Sequence, residues 1–287
     1  MVESDQSKEL NIKQLIEPLT LLIQNKLTKT YQDILAIFQI LAASNLLSLD
    51  HKLQFIGLAE KILEAGDMIM IRIVQILLLI ITYEDIGKTT LAENTLNLSL
   101  RLFNNKSSLI KSNIIALLSQ MYNLLFEKYD EILNKDEDID ELNKICYKQI
   151  EMLIIVAKHK QRNYKCLGID LLSLIFTKSS LKKSKEIVEL VEKTYVPLLS
   201  DYLTDQTDFY PMLTRLIKSA VHVMLTFHIS YTLLLPILAL TKSMHNWHRY
   251  LALEAFCVLF KDYNQLRFIN LMVNETTHTR VTFHLIS

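Results

Sequence analysis

Residues 246–256 read Asn-Trp-His-Arg-Tyr-Leu-Ala-Leu-Glu-Ala-Phe, and this stretch shows the pattern that decides the fold class. The apolar side chains of Trp247, Leu251 and Ala255 recur at every fourth position, which places them on one face of an α-helix. A helix is therefore predicted over about 246–260. Apolar residues recur at three- and four-residue spacing along almost the entire chain, so helices are predicted throughout.

Composition favours long helices joined by short connections. The chain has 287 residues, 50% of them hydrophobic, with only 4 Gly and 4 Pro. This scarcity argues against a β-rich fold, because such folds need many turns and turns need glycine and proline. The chain is too long for one compact bundle, whereas stacked helix pairs need to pack only on their neighbours. We therefore predict an all-α fold, an α-solenoid of armadillo/HEAT-like stacked helix pairs with about 13 helices.

Charge and cysteine content exclude several classes of function. The 31 basic and 31 acidic residues balance, and nucleic-acid binders normally carry a basic excess. The three cysteines, Cys146, Cys166 and Cys257, are odd in number and far apart. A disulfide framework is therefore not expected, and a reducing cytosolic setting is. The polar start at residues 1–8 resembles neither a secretory signal nor a transit peptide.

The predicted helices fall on either side of the most polar window, residues 134–141. We interpret this window as an acidic linker, although an exposed loop between two helices fits it equally well. One helical region is predicted over residues 1–133, a second over 142–273, and an atypical tail over 274–287.

One segment tests whether the chain is soluble. No charged residue lies between Lys218 and Lys242, and the mostly apolar run Ala220 to Leu240 is long enough to make a membrane span an alternative. Polar residues and a proline interrupt the run. Two buried helices, about Tyr210 to Phe227 and Ser230 to Thr241, are therefore the favoured interpretation.

Two further helices are predicted, one of them buried and the other kinked. Met68 to Tyr83 is apolar except for Arg72 and is interpreted as a buried helix. A later helix is predicted over about Ser180 to Leu203, with a kink at Pro197 because proline disrupts the hydrogen bonding of the preceding turn.

No motif in the chain indicates catalysis. Gly87-Lys88-Thr89-Thr90 resembles the end of a phosphate-binding loop, but Thr82 stands where the motif needs its first glycine. His245 and His248 lack a nearby third metal ligand. His222 and His228 are interpreted as hydrogen-bonded core or groove residues. We therefore predict no enzyme activity, no catalytic residue, no cofactor and no metal site.

The predicted helix at 246–260 carries the candidate interface residues. Tryptophan, tyrosine and arginine are favoured anchors of protein interfaces. A Trp247 that only packs in the core is the simpler alternative, and Glu254 is a candidate for a buried ion pair with Arg249 or a neighbouring helix. The candidate set is Trp247, His248, Arg249, Tyr250 and Glu254.

A lysine cluster is the second candidate surface. An anionic membrane favours such a patch by about 1 kcal/mol per well-placed charge, whereas a solvated face balanced by nearby glutamates explains the same residues. Four other basic residues are close in sequence and are predicted to extend the patch, namely Lys158, Lys160, Arg162 and Lys165. The candidate membrane-facing residues are Lys178, Lys182, Lys183 and Lys185.

The first half of the chain resembles one region of a family of trafficking proteins. The apolar helix around 76–81 precedes a segment that ends in Leu100-Arg101-Leu102-Phe103, and a long helix then closes on Phe126-Glu127-Lys128. This order is similar to the dimerisation and cyclophilin-binding (DCB) region. That region is found in the large Arf-type guanine-nucleotide exchange factors and in the monensin-sensitivity (MON-two) Golgi trafficking scaffold.

The second half resembles the neighbouring region of the same family, the one upstream of the catalytic domain (HUS). The similar segments are Val196-Pro197-Leu198-Leu199, Arg215-Leu216-Ile217, Trp247 through Glu254, and Gln265-Leu266-Arg267-Phe268. The resemblance thus implies a DCB-like region over 1–133 and a HUS-like region over 142–273. The asparagine-aromatic-aspartate box of the exchange factors is missing at residues 270–274, which favours the scaffold.

The resemblance implies a non-enzymatic protein-interaction scaffold in Golgi and endosome vesicle trafficking. Its implied place is the cytosolic face of Golgi (trans-Golgi) or endosomal membranes. The implied partners are an Arf-like small GTPase, a Dopey-type scaffold and a second copy of the chain. Two alternatives stay open: the regulatory N-terminal region of a large Arf exchange factor, and a membrane-embedded helical protein that spans about 220–240.

Overall fold

A computed structural model describes residues 14–23, 28–83, 90–135, 140–205, 209–227 and 231–261. These residues form helices and their connections without a strand, which confirms the all-α prediction. The chain divides into two compact units, unit 1 (residues 1–131) and unit 2 (residues 132–287). The predicted limits at 133, 141 and 273 are not tested by this division and stay predictions.

Six α-helices begin within the described residues of unit 1. A 3-10 turn (Thr28–Thr30) precedes the second helix, and another (Glu60–Ile62) extends the third. The helices are α1 (Gln14–Ile23), α2 (Tyr31–Ala43), α3 (Leu49–Ala59), α4 (Asp67–Tyr83), α5 (Leu91–Phe103) and α6 (Ser108–Asn134).

Contacts between alternate helices make unit 1 a layered stack. Packing joins α2 to α4 and α3 to α5. Arg72 of α4 donates to the carbonyl oxygen of Gln32 in α2 at 3.0 Å, so the first turn of α2 lies next to the second turn of α4. Arg101 near the end of α5 lies 3.4 Å from Glu60, which follows the end of α3. Each layer is therefore built from every second helix, as in a solenoid-like array.

Local sequence explains where the helices of unit 1 begin. The Ser48 hydroxyl accepts from the backbone N–H of His51 and caps α3. Gly66 has a φ of 109°, which glycine adopts without steric cost, and it separates the α3 segment from α4 as predicted. In the core, the rings of Phe38 and Phe55 lie 5.1 Å apart and join α2 to α3.

In the part of unit 2 that the structure describes, seven α-helices begin. A 3-10 turn (Ser179–Lys183) lies between the second and third of them, and a π turn (Val191–Tyr195) joins the third to the fourth. The helices are α7 (Asp140–Ala157), α8 (Arg162–Ile175), α9 (Lys185–Leu190), α10 (Val196–Asp205), α11 (Tyr210–Phe227), α12 (Tyr231–Leu240) and α13 (Asn246–Leu259).

Unit 2 is layered in the same way. Packing joins α8 to α11 and α11 to α13 in one layer, and α7 to α9 and α10 to α12 in the other. Asp170 of α8 accepts from Arg215 of α11 at 2.9 Å. At the end of α7, the Ala157 carbonyl oxygen accepts from the Tyr202 hydroxyl of α10 at 3.2 Å. These contacts fix the register within each layer.

The segment around Pro197 differs from the predicted single helix over 180–203. The chain forms a 3-10 turn first, and the helix proper begins only at Lys185, where the Ser184 hydroxyl caps it. The π turn then ends at Tyr195, two residues before Pro197, with the Val196 N–H bonded to the carbonyl of Val191. A π turn thus precedes the proline, and the kink at Pro197 stays a prediction.

The apolar run 220–240 is divided between two helices, because α11 ends at Phe227 and α12 begins at Tyr231. This matches the favoured interpretation and not a single spanning helix. Among the described residues, one helix is long and apolar enough to cross a membrane, Ser108–Leu133, and 44% of its apolar window is buried in the fold. A core helix meets the same criteria, so this is weak evidence for a span.

Candidate interaction surfaces

The face of α13 that holds the candidate interface residues is only partly available to a partner. His248, Leu251 and Ala255 recur at helical spacing and are buried against the rest of unit 2. Tyr250 is 66% exposed, and Leu253 beside it is half exposed. The exposed part of α13 is thus a mixed aromatic, aliphatic and charged strip.

Trp247 lies at the edge of this strip, and its environment combines features of the two predicted roles, an interface anchor and a core residue. It is half-buried, and its ring meets the ring of Tyr210 edge-on at 5.5 Å. It also contacts the ring of His248 at a centroid distance of 3.8 Å. The structure places Trp247 as a bridge between the starts of α11 and α13 and not in the centre of the core.

Two of the candidate interface residues have a different environment from the one predicted. His248 is only 4% exposed and lies 2.7 Å from the Ser243 hydroxyl, so it serves packing within the fold. Glu254 is exposed, and the prediction of a buried ion pair is wrong. Arg249 instead donates to the Asn246 side chain one turn earlier on the same helix. The other roles in an interface stay predictions.

A cavity of about 220 Å³ lies between α11 and α13, next to the exposed strip. Its floor is apolar and includes Val221 and Leu251, while Lys218 and Glu254 stand at its rim. His222 also lines it, and its Nδ1 donates to the carbonyl oxygen of Ser173 at 2.8 Å. Burial lowers the pKa of His222 below its usual range, against the effect of this hydrogen bond. The prediction of a hydrogen-bonded groove residue is confirmed for His222.

Two other cavities line the opposite layer of unit 2. One of about 510 Å³ lies between α7 and α9, where Lys193 and Glu189 form an exposed ion pair at 2.9 Å. This pairing lowers the pKa of Glu189 and raises that of Lys193. The other, of about 410 Å³, lies beside His245 and His248. In the described part of the chain, no group of three or more His, Cys, Asp or Glu side chains is arranged to hold a metal ion.

The lysine cluster spans the 3-10 turn and the start of α9. Lys182, Lys183 and Lys185 are exposed, because the intervening Leu181 and Ser184 face the core. Lys178 is half-buried. Within the described residues, those three exposed lysines form no ion pair, since the adjacent glutamates have other partners. Asn143 donates to Glu186 at 2.6 Å, and Glu189 pairs with a lysine of its own helix.

The other basic residues do not extend this cluster. Arg162 and Lys165 stand at the start of α8, about 20 Å from its far end by the rise of a 14-residue helix. Arg162 lies over the ring of Phe209 at 4.4 Å, and Lys165 lies over the ring of Tyr202 at 4.1 Å. The prediction of one joint patch is therefore wrong, because α8 separates the two groups.

Unit 1 carries an exposed apolar surface that the sequence did not indicate. Ile40 of α2 is 64% exposed, and Met68 and Leu78 of α4 are 71% and 40% exposed. The interpretation of 68–83 as a buried helix is therefore wrong for one of its faces. The composition of α4 gave a signal that was not used, because apolar residues occur on all sides of this helix. A helix of that kind is either completely buried or has an exposed face that binds a partner.

Several predicted features lie outside the described residues. These are His228 and Ser230, the residues 87–89 of the phosphate-loop-like segment, the segment 265–274 and the tail 274–287. The centre of the acidic window, 136–139, lies outside them as well, and its described flanks belong to α6 and α7.

The first part of the chain matches a known domain family. The family model for the Mon2/Sec7/BIG1-like dimerisation and cyclophilin-binding domain matches residues 1–131. Searches of curated proteins and of solved structures give no match to the chain. The matched residues coincide with unit 1, whose limits follow from its internal contacts alone. Residues 1–131 are therefore similar to the DCB domain of Mon2/Sec7/BIG1-like proteins, which confirms the resemblance predicted for this half of the chain.

Proposed function

We propose that this chain is a non-enzymatic protein-interaction scaffold in Golgi and endosome vesicle trafficking. The observation that carries the proposal is the agreement between the DCB match and unit 1, both of which cover residues 1–131. A domain described by dimerisation and cyclophilin binding works by presenting surfaces to other proteins. The layered helices of both units supply such surfaces, because a stack of helices leaves the outer side of each layer free.

The surfaces of the two units suit different partners. Unit 1 presents exposed aliphatic side chains, whereas the α13 strip of unit 2 combines Tyr250 with the charged Arg249 and Glu254. Aromatic and arginine side chains are the usual anchors of specific interfaces. We assign the α13 strip to a different protein, an Arf-like small GTPase or a Dopey-type scaffold, and self-association to unit 1.

The lysine cluster supports a peripheral place on a membrane. Lys182, Lys183 and Lys185 would together contribute about 3 kcal/mol on an anionic surface, at about 1 kcal/mol for each lysine. This is weaker than the interaction that corresponds to a millimolar Kd. The lysines therefore orient the chain on the cytosolic face of the Golgi or endosomal membrane, while a protein partner recruits it.

Affinity capture from cells tests the proposal. Tagged chain 1–287 is expected to recover an Arf-like GTPase or a Dopey-type scaffold. Trp247→Ala and Arg249→Glu are expected to reduce that recovery while the helix content by circular dichroism stays unchanged. Unchanged recovery with both folded variants would remove the α13 strip as the interface. Robust nucleotide exchange on an Arf-type GTPase by the purified chain would overturn the non-enzymatic assignment.

A second candidate function has support from the same match. Because the family description also includes Sec7-like and BIG1-like proteins, the chain is equally a candidate for the regulatory N-terminal region of an exchange factor. Purified chain added in trans to a Sec7-type catalytic domain tests this function. A change in the rate of nucleotide exchange would favour regulation, and an unchanged rate would favour the scaffold.

A further inference from the structure

We infer that the outer side of α2 and α4 is the surface through which two copies of this chain associate. We name it the α2–α4 face and define it by Ala36, Ile40, Gln75, Leu78 and Leu79. The inference rests on the self-association in the proposed function and adds the residues that perform it.

The register of the two helices brings these side chains together. Arg72 donates to the carbonyl oxygen of Gln32, so position 72 of α4 lies level with position 32 of α2. Both helices belong to the same layer, and each rises about 1.5 Å per residue. Ile40, eight residues after Gln32, therefore lies about 12 Å further along the layer, within one residue of the level of Leu79. The exposed apolar positions of the two helices form one continuous patch.

Charge is confined to one end of the patch. The last charged residues on these helices are Asp33 in α2 and Arg72 in α4. Beyond them, every exposed or half-exposed side chain of both helices is uncharged, through Ala43 and Tyr83. Single exposed apolar residues are normal on a protein surface, but a contiguous apolar patch indicates an interaction site.

The patch has the size of the apolar centre of a dimer interface. The uncharged part of α4, residues 73–83, is about 16 Å long, and two helices side by side are about 20 Å wide. The footprint is then about 300 Å², and its corrugated accessible area is larger. A standard interface uses about 800 Å² of accessible surface per partner and surrounds an apolar centre with a polar rim, so this face supplies the centre of such an interface.

The chemistry of the patch favours a second copy over another protein. In a twofold dimer, the same patch meets itself, so a charged patch would place like charges across the axis. An uncharged aliphatic patch has no such conflict and is complementary to itself. The α13 strip, with Arg249 and Glu254 exposed, has the charged groups that suit recognition of a different protein.

Analytical ultracentrifugation of the whole chain over a range of concentrations tests the inference. Wild type is expected to dimerise, and Ile40→Asp combined with Leu78→Asp is expected to raise the dimer Kd by about 30-fold or more. The matched control is Ile155→Asp, because Ile155 is also a helical isoleucine with 64% exposure but lies on α7 of unit 2. The control is expected to dimerise like wild type.

Alanine variants keep the test decisive where aspartate disturbs folding. Ile40→Ala with Leu78→Ala keeps good helix formers at both positions and is expected to weaken dimerisation by about 10-fold. A wild-type dimer that both double variants retain would overturn the α2–α4 face and leave self-association intact. A wild type that is monomeric at every concentration would overturn the inference and self-association together. In that case the capture experiment from cells still decides whether the chain is a trafficking scaffold.

Discussion

The two units of this chain solve the same packing problem with different chemistry. In unit 2, buried polar contacts tie one helix to the next: Tyr195 lies 2.8 Å from Ser219, and Thr226 donates to the carbonyl of Phe176. In unit 1, the buried hydroxyls of Thr95 and Ser99 on α5 have no hydrogen-bond partner within the described residues. Buried polar contacts therefore help to fix the helices of unit 2, whereas the contacts of Arg72 with Gln32 and of Arg101 with Glu60 in unit 1 lie at its surface.

The difference extends to the outer surfaces. Unit 1 exposes an uncharged aliphatic patch on α2 and α4, and unit 2 exposes charged and aromatic groups on α13 and on the turn before α9. Unit 1 therefore presents aliphatic side chains on one outer face as well as in its core. This difference is the basis of our proposal that unit 1 associates with a second copy of the chain and that unit 2 binds other proteins.

The largest predicted loss of stability comes from a substitution where two helices of unit 2 approach closely. A Cβ atom on Gly168 of α8 would lie 2.5 Å from the backbone nitrogen of Ala157. Gly168→Ala is therefore expected to lower the free energy of unfolding by about 2–3 kcal/mol, because backbone cannot move aside as a side chain does. Urea denaturation measures the change.

The matched control for this substitution lies in unit 1. Gly57 of α3 has nothing within 4 Å of an added Cβ, so Gly57→Ala is expected to raise the free energy of unfolding by about 0.5–1 kcal/mol through helix propensity. Equal destabilisation by the two substitutions would contradict the close contact of α7 and α8.

A smaller loss of stability is expected when one buried hydrogen bond of unit 2 is removed. Burial raises the pKa of Tyr195 well above its usual range, so its hydroxyl stays protonated and bonded to Ser219. Tyr195→Phe leaves the buried Ser219 hydroxyl unpaired and is expected to cost about 1–3 kcal/mol. Thermal unfolding of this variant and of Tyr195→Phe with Ser219→Ala tests the tie, since the second change is expected to recover part of the loss.

In unit 1, removal of a buried hydroxyl without a partner in the described residues is expected to leave the stability unchanged or to increase it. Thr95→Val replaces a buried hydroxyl that has no partner within the described residues by a methyl group of similar size. The free energy of unfolding is expected to stay equal or to rise by about 1 kcal/mol, because no hydrogen bond is lost and a desolvated polar group is removed. A clear loss of stability in a urea titration would show that Thr95 has a polar partner and would weaken the contrast between the units.

The smallest predicted effect is on the pH dependence of the stability of unit 2. Burial lowers the pKa of His222, with a smaller contribution from the positive charge of Lys218. The folded state thus binds this proton less readily than the unfolded state, whose histidine has a pKa of about 6.5. The stability that neutral His222 provides is complete above about pH 6.5 and is lost as the pH falls through the folded pKa. His222→Gln is expected to flatten the fall of Tm between about pH 7 and pH 5 relative to wild type. An unchanged slope would show that other groups cause it.

Sequence reasoning located most helices because the relevant signals are local. The predicted boundaries Tyr210–Phe227 and the start at Asn246 agree with α11 and α13, since a helix imposes its period on its own residues. The segment before Pro197 was harder to predict. Whether the chain relieves a proline by a kink, a π turn or a 3-10 turn depends on how the flanking residues pack.

The candidate surfaces were predicted less well than the helices. Tyr250, Arg249 and the exposed lysines around the start of α9 are accessible, as an interface needs, but His248 is buried. Glu254 is exposed and not in the buried ion pair that was predicted. Helical spacing places side chains on faces, but it does not say which face a neighbouring helix covers. The exposed side of α4 was missed for the same reason, because an apolar helix has no polar face to mark the solvent side.

The sequence by itself determined the helical class and the DCB match of residues 1–131, because both depend on the order and period of residues along the chain. Only the tertiary structure decided which faces remain exposed. Contacts such as Arg72 with Gln32, 40 residues apart, or His222 with Ser173, 49 residues apart, set the register of one helix on another. Burial depends on that register, which determines which apolar face packs in the core and which apolar face stays exposed.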